Sequence, residues 1–171
     1  MDDKLSAQTR GGREIVNSLD REFARLHSQS CAIVDSTGVD ILYRAPAQTG
    51  TGSARSIGES VLRCAAAIEQ TFGGITSNLW DDPFEWTLPE YLSTPAKVVE
   101  HLTEVEATRQ RAFSSFGDDG CLLQHVAMPS GETRPLLDLL QETLQRAVDY
   151  QAQSVVALKI LSRITPPGFI I

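Results

Sequence analysis

The sequence predicts an all-α protein, an up-and-down-type four-helix bundle forming one domain over residues 1–171. Three observations carry this. Four long segments space their apolar residues by threes and fours, the period of a helix with one buried stripe. No segment of useful length alternates apolar and polar residues as a half-buried strand does. The 171 residues are 42% hydrophobic and 22% charged, enough apolar material to close a single core.

The first helix runs from about Gly12 to Asp35. Ile15, Leu19, Phe23, Leu26, Ile33 and Val34 form its stripe, and Arg13, Asp20, Arg21, Glu22 and Arg25 its charged face. Thr37-Gly38 ends it, because glycine enters the left-handed C-cap conformation without steric cost. Ile41-Leu42-Tyr43 is a short apolar clip expected to pack on the bundle. Residues 1–11 and 45–55 are expected to be flexible, the latter holding small and polar side chains with nothing to bury.

Ser56-Ile57-Gly58-Glu59 fits a capping box and opens the second helix, whose stripe is Ile57, Val61, Cys64, Ala65, Ile68, Phe72 and Ile75. Gly73-Gly74 weakens its end. The connector Trp80–Glu90 holds both tryptophans of the chain and Pro83 and Pro89, so it forms no regular element. It either caps the end of the bundle with two indoles or walls a ligand pocket, with Trp80 and Trp86 as the candidate lining.

Thr94-Pro95 opens the third helix as N-cap and first helical residue. Val98, Val99, Leu102, Val105, Ala112, Phe113 and Phe116 make its stripe, and Glu100, Glu104, Glu106, Arg109 and Arg111 a solvated face of spaced opposite charges. Residues 117–133 are a loop with a turn at Pro129-Ser130-Gly131. The fourth helix, from about Thr133 to Arg163, is the longest and is apolar over more than one face. That breadth, with the Phe169-Ile170-Ile171 tail, suggests a homodimer.

Twenty-two acidic residues against 15 Lys and Arg give a net charge of −7, which argues against nucleic-acid binding. No apolar run is long enough to span a membrane, and Met1-Asp2-Asp3-Lys4 does not begin a signal peptide, so a cytoplasmic protein is expected. Cys31, Cys64 and Cys121 form no CxxC, and reduced thiols are expected. His27, His101 and His125 share no helical spacing, the core stripes hold no carboxylates, and no Cys–His pairing is read from the sequence. Gly50-Thr51-Gly52-Ser53 lacks the lysine of a phosphate loop.

The element order, Ser56-Ile57-Gly58-Glu59 leading into Ala65-Ala66-Ala67-Ile68-Glu69, and Tyr150-Gln151-Ala152-Gln153-Ser154-Val155-Val156-Ala157-Leu158 together resemble the DinB-like superfamily of four-helix bundles over about residues 12–163. The resemblance implies a divalent metal, often nickel or zinc, held by one histidine on the second helix and two on the fourth, with thiol-transferase or hydrolase activity in some members and frequent homodimers. Here those positions fall on Arg63, Arg146 and Tyr150. A guanidinium has no lone pair to give a metal and repels a dication, so no metal is expected at that site. Arg63, Arg146 and Tyr150, with Glu59 and Asp149 near them in sequence, become either an ion-pair network joining the second and fourth helices or a site for a small anionic ligand. Two functional classes follow: a non-catalytic dimeric or anion-binding bundle, and an enzyme with a rearranged metal site, for example at His27, His101 and nearby glutamates, or with an anion site at Arg63 and Arg146.

Overall fold

Four α-helices carry the chain: α1 (Glu14–Asp35), α2 (Ile57–Ser77), α3 (Pro95–Ser115) and α4 (Leu136–Ser162). The structure, a computed structural model, describes residues 12–47, 54–87 and 89–168, apart from the side chains of Glu85 and Trp86. The segments expected to be flexible therefore lie outside the described residues at 1–11 and 48–53. Within the second of them Arg55 is anchored, donating to Gln153 Oε1 at 2.7 Å.

The expected stripes close the core. Phe23, Phe72 and Phe113, from three different helices, meet with ring centroids 5.3–5.8 Å apart. Such edge-on and tilted packing favours the positive ring edge against a negative face. One position departs from the sequence reading: Ile15 is exposed, and Val16 beside it is buried instead. The reason is the start of α1, which has no N-cap side chain of its own. Asp119 supplies it from across the fold, its carboxylate accepting from the backbone N–H groups of Ile15 at 3.2 Å and Val16 at 2.9 Å. Arg13 returns the favour at the other polarity, donating to the carbonyls of Phe113 and Phe116 at the C-terminal end of α3.

The helical expectation holds, and its connectivity needs a correction. In a simple up-and-down bundle each helix reverses on the last, but α2 and α3 run parallel. Tyr43 shows it: its ring lies over Gly58 at the start of α2, and its hydroxyl donates to the carbonyl of Leu92, just before α3, at 2.7 Å. Both helices thus begin at one end of the bundle. Residues 78–94 return the chain along the length of α2, about 30 Å for its 21 residues. This long crossover is why the connector holds a short 3₁₀ turn, Pro83–Trp86, instead of a tight reversal.

A second correction concerns strands. β1 (His125–Ala127) and β2 (Thr133–Pro135) pair antiparallel, Val126 opposite Arg134, and α4 starts at Leu136 and not Thr133. The pair is too short to show alternation in sequence. Its turn falls where expected: Gly131 takes φ +84 and donates to the Met128 carbonyl at 2.9 Å.

Candidate functional site

α2 packs most extensively against α4, and the two run antiparallel. Small hydroxyls let them approach at one point, where Thr71 and Thr143, both buried, lie 2.6 Å apart. Beside them Arg146 donates to Gln70 Oε1 at 3.4 Å, and Gln70 Nε2 donates to the Trp80 carbonyl at 2.9 Å. Gln70 therefore links the α4 arginine to the loop that follows α2.

Trp80 is seated on Gly74. A Cβ at Gly74 would overlap the indole, so this glycine, which weakens the helix by propensity, gives the ring its seat. Its Nε1 donates to Asn78 Oδ1 at 3.1 Å, and Asn78 is the left-handed C-cap of α2. These residues line a cleft of about 250 Å³ with Met128 and Pro129 of the hairpin turn and with Arg134 and Glu142. Trp80 thus lines this cleft, whereas the side chain of Trp86 lies outside the described residues.

The expected cluster separates into two, Arg63, Glu59 and Tyr150 being linked through Arg55 and Arg146 standing apart. Arg63 donates to Glu59 Oε1 at 3.1 Å and stacks on Phe84, its guanidinium carbon 3.9 Å from the ring centre. Arg146 instead meets Gln70, two helical turns along α2 from Arg63. Tyr150 meets Arg55, 5.7 Å above its ring. Glu59 is shared by Arg63 and, at 3.5 Å, Arg55, while Asp149 is exposed and makes no ion pair among the described residues. The single network joining Arg63 to Arg146 is therefore not formed. Glu59 serves Arg63 of α2 and Arg55 just before it, and among the described residues no carboxylate lies within 4.0 Å of Arg146.

Among the described residues no three His, Cys, Asp or Glu side chains gather where an ion could bind, at His27 and His101 or elsewhere. Arg63 and Arg146 are guanidiniums with no lone pair to donate, so neither can serve as a metal ligand.

The sequence reading of α3 as carrying a solvated charged face is corrected at Arg109. This side chain is 3% exposed, held by Glu106 (Nη2–Oε1 2.6 Å) and by Asp20 of α1, and it lies over Phe113. Burial alone would lower its pKa, and the hydrogen bonds to Glu106 and Asp20 more than offset that, so it moves up. The spacing Leu102, Val105, Arg109, Ala112, Phe113 carried the signal, since Arg109 falls in phase with the apolar stripe. A carboxylate oxygen on α2, Glu69 Oε2, is also buried and lacks a hydrogen-bond partner among the described residues, although the residue as a whole is half-buried and lies beside the apolar stripe.

A Cys–His contact also exists: Cys31 Sγ lies 3.8 Å from His27 Nε2. Their i, i+4 spacing on α1 was the available clue. Burial, Asp35 and Glu106 push the Cys31 thiol up, which favours thiol over thiolate. Cys64 is buried and its thiol is pushed up by burial to about 12. All three cysteines are free.

Among the described residues no helix is long and apolar enough to cross a membrane. Comparison with known proteins returns no match among family models, curated proteins or solved structures.

Proposed function

We propose that this chain is a cytoplasmic DinB-like bundle without the family's metal centre, and that it binds a small anion non-catalytically at the α2–α4 edge. The observation that carries the reading is Arg146. It is half-buried, it lines a cleft beside a fixed tryptophan, and its hydrogen-bond partner is the neutral amide of Gln70. The other arginine of the cleft, Arg134, is already paired with Glu142 at 2.8 Å. A guanidinium partly removed from water and lacking a carboxylate is an anchor for a carboxylate or phosphate. Arg63 has its counter-charge in Glu59 and serves the fold.

The DinB-like assignment rests on the helix order and the sequence patterns of α2 and α4. The crossover between α2 and α3 supplies room for a pocket wall at Trp80. A second copy of the chain is the proposed partner, supported by the exposed Val148, Val156 and Ile160 of α4 and by Ile164 just beyond its end. A dimer mass by light scattering at micromolar concentration is expected, and a monomer mass refutes that part.

The anion reading is tested by thermal unfolding in millimolar phenylacetate or phosphate against chloride at matched ionic strength. The midpoint should rise by a few degrees, since a ligand that binds only the folded state stabilises it by mass action. Arg63→Ala should keep the rise and Arg146→Gln should lose it. An equal rise in Arg146→Gln refutes the assignment.

A further inference from the structure

From the remaining groups of the same cleft we infer its ligand class: a small aromatic monocarboxylate bearing a hydroxyl. This rests on Arg146 being the anion anchor, and four observations extend it.

The first is charge. The cleft is lined by Arg134, Arg146 and Glu142, and Glu142 is bonded to Arg134. Two cations and one carboxylate leave a net charge of +1, which a single negative charge balances and a dianion overshoots. The second is size. About 250 Å³ falls below the roughly 300–1,000 Å³ of sites for larger ligands, so the molecule is small. The third is the wall. Trp80, seated on Gly74, together with Met128 and Pro129 presents an apolar surface that suits a flat ring, the methionine adapting to its edge.

The fourth is the Thr71–Thr143 pair, which reads the hydroxyl. Thr143 Oγ1 donates its one hydrogen to the Leu139 carbonyl at 2.7 Å. In the 2.6 Å contact with Thr71 it must therefore accept, and Thr71 must donate. Thr71 has then used its hydrogen, but keeps acceptor capacity on an oxygen of a buried residue that lines the cleft. An acceptor with no hydrogen left to give selects a ligand donor, and a hydroxyl supplies one without changing the ligand's charge.

The test is calorimetric titration of the full chain with mandelate, with phenylacetate, which lacks the hydroxyl, and with phenylmalonate, which carries a second carboxylate. Mandelate should bind roughly tenfold more tightly than phenylacetate, the scale of one hydrogen bond in a partly buried site. Thr71→Val should erase that ratio, mandelate and phenylacetate then binding the variant equally, and Thr71→Ser, which keeps the oxygen in a smaller side chain, should preserve it. Phenylmalonate should bind more weakly than mandelate, and Glu142→Gln should narrow the gap several-fold by removing the opposing charge. Equal binding of mandelate and phenylacetate, or a ratio that survives Thr71→Val, overturns the ligand class; if phenylacetate still binds and Arg146→Gln abolishes it, the anchor stands. Failure of all three acids and of inorganic phosphate to bind the folded chain overturns both.

Discussion

The α1–α3 seam and the α2–α4 edge each place an arginine among helices, and they treat it differently. At the seam Arg109 is buried and meets two carboxylates, Glu106 from its own helix and Asp20 from α1. At the edge Arg146 is half-buried, meets the Gln70 amide, and faces a cleft. A charge removed from water needs an opposite charge, and the fold supplies it at the seam. At the edge part of that demand is left for solvent or a ligand. The contrast separates a cation that holds the bundle together from one available for recognition.

The largest way to test the contrast is Arg109→Ala. It strands Glu106, which is only 11% exposed, and should cost about 3–5 kcal/mol in denaturant unfolding. A loss below about 1 kcal/mol would place the seam in the same class as the edge. Next is Gly74→Val, which evicts the Trp80 indole from its seat. A loss of about 1–3 kcal/mol is expected, with tryptophan fluorescence shifted to the red as the ring meets water. An unchanged spectrum would show that the cleft wall does not depend on Gly74.

Cys64 sharpens the comparison through pH. The folded state raises its pKa from about 9 to about 12 by burial, so above pH 9 the unfolded chain releases a proton that the folded chain keeps. Its contribution to stability is intact below pH 9 and falls by roughly 1 kcal/mol per pH unit between 9 and 12. Cys64→Ala should flatten that part of the profile, and an identical decline in the variant would contradict it. Arg63→Ala should cost about 1 kcal/mol or less, because the Arg63 side chain is 28% exposed and water screens its pair with Glu59. This is smaller than a fully buried network between Arg63 and Arg146 would imply, and a loss of several kcal/mol would restore that network.

The seam and the edge also differ in how legible they were in the sequence. Helix periodicity located all four helices because their stripes are long, and Ser56 and Thr94 marked two helix starts by side-chain caps that the structure contains. The start of α1 was not readable in detail, since its cap is Asp119, more than a hundred residues away. The parallel course of α2 and α3 was hidden for a related reason: connector composition shows a break but not the distance it travels. β1 and β2 were missed because three residues cannot display alternation.

At the candidate site, Arg146 and Trp80 were identified as separate features, and only the fold brings them to one cleft. Gln70, Thr71, Arg134 and Glu142 were missed because single polar residues beside apolar stripes look like ordinary helix surface. Arg109 was misread because composition, not phase, decided its face. Its place in the 3.6-residue repeat marked it as inward, and Glu106 three residues earlier was its partner.

The most direct measurement follows the arginine side chains themselves. In the ¹⁵N-labelled full chain, the Nε–Hε resonances of Arg63, Arg109 and Arg146 can each be assigned by substitution and followed during titration with phenylacetate. A saturable shift at Arg146, with Arg109 and Arg63 unmoved, is the predicted result. A shift at Arg63 or Arg109 that leaves Arg146 unmoved, or none at any of the three at millimolar ligand, contradicts the assignment of Arg146 as the one arginine of the three available for recognition.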